Sequence, residues 1–300
     1  MTEARDTEEL VRRQSFEAEG PIELSLGTGA GRIDVRLVDE PGVHVEVRHD
    51  QDGDNPFAQG VSNLMNWIGY QFGNLDQAEG SIPAEAVRQT RVDFTAGRLV
   101  VRTPKDMHLR NVAIAVSVQA PVGSHVAARS GSGDVMVSGA AGRLELTTGS
   151  GRVNADQATA AAKVDTGSGV VRLGPMAAGV RAKTGSGDVE ISAVGGASTV
   201  ITGSGDVWLG AVTSDVLART GSGNLTIANA SAGQLELHTG SGELRIGVRE
   251  GSRAEIDLSS GSGEAHSDLD LTTTPPESAP ALRLRGRTGS GSALVTKAVD

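Results

Sequence analysis

Over most of this chain, aliphatic and polar residues alternate in short stretches that keep a common register. Val189 and Ile191 flank Glu190, and the same spaced pair returns as Val135 and Val137, Val153 and Ala155, Val171 and Leu173. It returns again as Val207 and Leu209, Leu225 and Ile227, Leu244 and Ile246, Ala265 and Ser267, Ala293 and Val295. Period-2 alternation predicts a half-buried strand, with these positions facing in. A second alternating stretch lies a few residues upstream of each pair, as in Leu144 and Leu146 around Glu145, or Leu235 and Leu237 around Glu236. Each unit therefore predicts two strands of about five residues.

Between the two strands of every unit falls one tripeptide, Gly-Ser-Gly. Its nine copies begin at Gly131, Gly149, Gly167, Gly185, Gly203, Gly221, Gly240, Gly261 and Gly289. The first five intervals are 18 residues each, and the last three are 19, 21 and 28. A short fixed period predicts stacked repeats, because one unit cannot bury its apolar face alone. The expected architecture is an all-β parallel solenoid, a single-stranded β-helix of about 18 residues per rung, each strand pairing with its equivalent in the next turn. Right-handed crossovers dominate parallel connections, so a right-handed coil is expected. The residue before each triplet is always Ser or Thr, from Ser130 and Thr148 through Ser260 and Thr288. Its parity is inward, so its hydroxyl is expected to satisfy turn N–H or C=O groups. The glycines would supply either positive φ or the close approach of successive corners.

Gly29-Ala-Gly-Arg-Ile-Asp-Val35 reads as a degenerate copy of the unit, and 22–26, 43–47, 99–102 and 112–118 are further strand candidates. Residues 15–50 and 91–130 are read as irregular leading rungs, with a small separate β domain as the alternative. This gives a charged tail over 1–14 and one solenoid domain over 15–300, interrupted by a helical insertion at 51–90 and a Pro-rich loop at 272–280. Within the insertion, Phe57, Val61, Leu64, Met65, Ile68 and Phe72 fall on one helical stripe. Pro83 to Val87 starts a second short helix. The insertion either covers an open strand edge or docks a partner protein through Phe57, Trp67, Tyr70 and Phe72.

Composition narrows the chemistry. Aromatics are only 2% of the chain, so the core must be thin and aliphatic. The formal net charge of −10 makes nucleic acid and anionic membrane surfaces poor partners. The chain has no Cys, which removes disulfides and thiolate metal sites. The charged start lacks the apolar core of a signal peptide, and no apolar run reaches the ~20 residues of a membrane span, so a cytoplasmic location is expected.

The glycine triplets open no helix and have no Lys beside them, unlike phosphate-binding loops. Asp134, Asp188 and Asp206 follow triplets, but Arg152, Val170 and Ser292 hold equivalent places, against a calcium β-roll. The six His are scattered, and the nine repeated Ser have no partnering base in the sequence pattern. No catalytic residue, metal ligand or cofactor is expected. Arg172, Asp188, Glu190 and Arg245 lie on neighbouring outward positions, where a carbohydrate-active solenoid would carry its charges.

The run Thr-Gly-Ser-Gly-Asp-Val at 184–189 and its variants resemble the bacterial putative-adhesin family of β-strand-repeat proteins, a domain of unknown function, over about residues 15–298. The resemblance implies a single-stranded β-helix without a cofactor. The expected function is a non-enzymatic scaffold that binds an unidentified protein partner through the insertion or an outer face. A carbohydrate-binding β-helix and an end-to-end filament former are the alternatives.

Overall fold

The computed structural model describes residues 11–50, 82–269 and 280–298. The first part of the chain forms β1 (Val11–Phe16), β2 (Glu23–Thr28), β3 (Ile33–Val38), β4 (Val43–His49), helix α1 (Ile82–Gln89), β5 (Arg91–Thr95), β6 (Arg98–Arg102) and β7 (Ile114–Pro121). The regular repeats follow as β8 (His125–Ser130), β9 (Val135–Ala141), β10 (Leu144–Thr148), β11 (Val153–Ala158), β12 (Ala162–Thr166), β13 (Val171–Met176), β14 (Val180–Thr184) and β15 (Val189–Val194). They continue through β16 (Ser198–Thr202), β17 (Val207–Val212), β18 (Val216–Ser222), β19 (Leu225–Ala230), β20 (Gly233–Ser241) and β21 (Leu244–Val248). The last are β22 (Ala254–Ser262), β23 (Ala265–Ser267), β24 (Leu282–Ser290) and β25 (Ala293–Lys297).

These strands make two sheets, one of thirteen and one of twelve strands. Each rung gives one strand to each sheet, and the nine rungs from β8–β9 onward bend at the glycine triplet. Neighbouring rungs pair in parallel with an offset equal to the repeat: Val153 faces Val171, Val171 faces Val189, and Val189 faces Val207. The inward positions interlock between the sheets as one aliphatic cluster, in which Val189, Ile191, Leu146, Leu209 and Leu237 are 1% exposed or less. The parallel solenoid expected from the period is the fold.

The corners hold together as expected of the hydroxyl residue. Thr148 Oγ1 accepts from Gly151 N at 3.1 Å and donates to Gly133 O, in the preceding rung, at 2.9 Å. Thr166 and Thr184 accept the equivalent N–H of Gly169 and Gly187 at 3.0 and 2.9 Å. Close approach is used by every triplet glycine, and among the nine triplets only Gly291 also has a positive φ, at 142°. A Cβ on Gly149 would collide with the carbonyl oxygen of Gly131, and one on Gly151 with that of Gly133. The Asp after the triplet has a structural task too. Asp134, Asp188 and Asp206 each accept the backbone N–H one rung on, from Arg152, Asp206 and Asn224, at 2.7–2.9 Å.

The two ends depart from simple winding. The β2–β3 rung lies between the later rungs β6–β7 and β8–β9. The chain crosses back through buried Ser124, whose hydroxyl donates to Pro121 O at 2.6 Å and accepts from Ile22 N at 3.0 Å. At the other end the last rung in sequence, β24–β25, sits between β20–β21 and β22–β23. This corrects one inward assignment: Ala265 is exposed, because its rung is outermost. The 43–47 stretch is not a rung. As β4 it runs antiparallel to β7 and carries β1 antiparallel on its far side. Strand β1 starts at Val11, inside the stretch expected as tail.

Helix α1 confirms the expected start near Pro83 and packs Ala84, Ala86 and Val87 inward beside β1 and β4. Arg12 donates to Thr90 O at 2.6 Å, satisfying a carbonyl past the helix C-terminus. Phe16 stacks on Phe94 with ring centroids 5.2 Å apart. These pieces close the end of the core beyond β6–β7.

Candidate functional site

A groove of about 820 Å³ lies on the outer face of the thirteen-stranded sheet. It crosses β1, β4, β7, β3, β9 and β11, which are neighbours in that order. Six strands at ~4.8 Å spacing make it roughly 24 Å long. The antiparallel pairing of β4 and the displaced position of β3 bring together strands far apart in sequence.

Register orders the lining into rows. One row reads Arg13, Glu46, Ser117, Asp34, Met136, Asn154, each opposite the next. The row beside it reads Ser15, His44, Gln119, Arg36, Ser138. Arg32 and Arg48 close the other flank. Arg13 meets Glu46 at 2.8 Å, and Arg48 meets the same carboxylate at 3.7 Å. Arg32 bridges Asp34 at 3.4 Å and the buried Asp50 at 3.3 Å. Burial pushes the Asp34 carboxyl above the usual carboxylate range; Arg32 opposes this, the nearby Asp50 charge adds to it, and Arg36 and Arg48 oppose it further. Asn154 Oδ1 is buried without a hydrogen-bond partner.

The groove offers donors and cations more than reactive groups. Ser15 Oγ lies 2.9 Å from His44 Nδ1, yet among the described residues no carboxylate bonds the far ring nitrogen. An activated serine needs that orienting third group. Among the described residues no set of three or more His, Asp or Glu is placed to hold a metal. The outward charges expected of a carbohydrate-active face are engaged in local pairs. Arg172 meets Glu190 at 3.3 Å, Arg245 meets Glu243 at 2.6 Å, and Asp188 bonds backbone. No helix among the described residues is long and apolar enough to cross a membrane.

Phe57, Trp67, Tyr70 and Phe72, the expected partner-binding residues, lie outside the described residues, as does nearly all of the 272–280 loop. The groove was not foreseen. The outward parity of Arg13, Asp34, Arg36 and Glu46 is readable in each strand, but nothing in one sequence signals that β1, β4, β7 and β3 lie side by side.

Fold and groove together define a two-sheet parallel β-solenoid with an external cleft. The family model described as Toastrack DUF4097 matches residues 91–288, and the chain belongs to that family. Among solved structures, it is similar to a putative adhesin from Bacteroides fragilis NCTC 9343 (12% identity, TM-score 0.42, 95% of this chain and 96% of that one). A putative adhesin from Parabacteroides distasonis ATCC 8503 is similar at 10% identity and TM-score 0.39, over 95% and 96% of the two chains. A putative lipid binding protein from the same strain matches at 10% identity and TM-score 0.26, over 97% and 95%. No curated protein matches.

Proposed function

We propose that this chain is a non-enzymatic binding scaffold that recognises a partner protein on the outer face of its thirteen-stranded sheet. The groove carries the proposal: about 820 Å³ of open concavity with a mixed polar and apolar lining, spanning six neighbouring strands. Ligand sites are the concave places of a surface. A trough across six strands suits an extended segment better than a compact metabolite. The rigid stacked core holds the lining residues in fixed register, as a recognition surface requires.

The test uses three forms of the full chain: wild type, Ser117→Trp, which fills the groove floor from an outward position, and a form with 51–81 replaced by a Gly/Ser linker. Each is used to capture partners from native lysate with in-cell cross-linking as control. Loss of a cross-linked partner with Ser117→Trp supports the groove. Loss only with the linker form moves recognition to the aromatic insertion. Equal capture by all three sinks both.

One observation favours the carbohydrate-binding alternative. Trp208 is 39% exposed on the same outer face, between Glu190 and Thr226 on neighbouring strands. Its ring reaches over Gly210, where a Cβ would lie 3.1 Å from Trp208 Cη2. A Trp208→Ala change that abolishes retention on a polysaccharide column would support this reading.

A further inference from the structure

We infer that the occupant of the groove is an extended acidic peptide segment with a carboxylate seated on Arg36, an inference that rests on the groove being the recognition surface. Four arginines line the groove, and three are already engaged: Arg13 and Arg48 with Glu46, Arg32 with Asp34 and Asp50. Arg36 is exposed and makes no hydrogen bond or ion pair among the described residues. Asp34, two residues away on the same strand, directs its carboxylate to Arg32.

The register row through Arg36 contains no carboxylate. Its members Ser15, His44, Gln119 and Ser138 are occupied locally: Ser15 and His44 bond each other, Ser138 donates to Val35 O at 3.3 Å, and Gln119 donates at 3.3 Å to Glu40, which does not line the groove, so Arg36 is the group left to a ligand. An exposed guanidinium without a salt-bridge partner, in a row that contains no carboxylate, can receive one in two parallel bonds. The adjoining row argues against a continuous polyanion. Glu46 and Asp34, with Asp134 on the groove's flank, would repel a phosphate backbone laid along the trough. Spaced single carboxylates on a peptide can fall beside Arg36 and avoid the acids.

The experiment is a random-peptide phage selection on the immobilised full chain, with enriched peptides then measured by fluorescence anisotropy. The expected result is enrichment of Asp- or Glu-containing peptides that fail to bind Ser117→Trp. Affinity should fall about tenfold to a hundredfold with Arg36→Ala. Arg36→Lys should give an intermediate loss, since it keeps the charge and loses the fork. Enriched peptides without acids that still need the groove overturn this inference and leave the binding surface standing. Acidic peptides indifferent to Arg36→Ala overturn it as well. Peptides indifferent to Ser117→Trp, or no enrichment at all, sink the groove reading and this inference with it.

Discussion

At the scale of single residues, the repeat is explained by what would happen if each recurring position changed. A methyl group on Gly151 would occupy the space of the Gly133 carbonyl oxygen, which belongs to the neighbouring backbone and cannot move alone. Gly151→Ala should therefore cost about 2–4 kcal/mol, read as a lower urea midpoint. An unchanged midpoint would mean the corners can part. Thr148→Val keeps the shape but strands two backbone groups, the Gly151 N–H and the Gly133 C=O, and should cost about 1–3 kcal/mol. Thr148→Ser, which keeps the hydroxyl, should recover most of that. Asp34 behaves oppositely. Burial raises its pKa in the folded state, so folding favours its protonated form. Its ionised form is a burden above the carboxylate range, relieved as pH falls through the folded pKa. Asp34→Asn should raise the melting temperature at about pH 7, Arg32 keeping Asp50 as partner, with the gain shrinking towards about pH 3. A gain that persists at low pH would assign the effect to packing instead.

At the scale of the rung, much is legible in the sequence. Period, strand positions, inward parity and the corner hydroxyl all follow from local alternation and spacing, and the structure keeps them from Val126 to Leu244. What is not legible is the order of rungs at each end. Every rung has nearly the same pattern and offers the same edge, so local sequence leaves open which of two rungs takes a given place. Burial separates them. The inward residues Leu282, Leu284, Ala293 and Val295 are 2% exposed or less, whereas Ile256 and Leu258 remain half-buried and Ala265 exposed. The better-packed rung occupies the inner position, and Leu258 reaches into the space left by Gly286. The groove is a product of the same reordering, since it exists only where β1, β4, β7 and β3 meet. A paired substitution tests the arrangement. Ala293→Asp places a charge in the filled core and should destabilise by about 3 kcal/mol or more. Ala265→Asp should stay within about 0.5 kcal/mol, as a surface change does. Winding in strict chain order would bury Ala265 and make both changes severe.

At the scale of the whole rod, eleven rungs at ~4.8 Å each give a length of roughly 50 Å, with contacts only between neighbours. In such a stack, local stability is set by how many neighbours a rung has and how well the end is covered. The two ends differ. Beyond β6–β7, the antiparallel strands β1, β4 and β5, helix α1 and the Phe16–Phe94 stack enclose Val92, Leu99 and Val116. Beyond β22–β23 no described residue covers the edge, and its inward side chains stay partly open. Bare parallel edges carry a row of unpaired backbone groups, which is why proteins cover or blunt them. Hydrogen exchange should therefore fray the rod from one side: amides of β22 and β23 first, β13 to β16 last, and β6–β7 closer to the centre than to the far end. Slow exchange in β22 and β23 would show that this edge is covered in solution. A molar mass from light scattering that grows with concentration would then identify the cover as a second copy and bring the end-to-end filament forward. A constant monomer mass would place the cover within the chain itself, leaving the lateral groove as the face on which partners act.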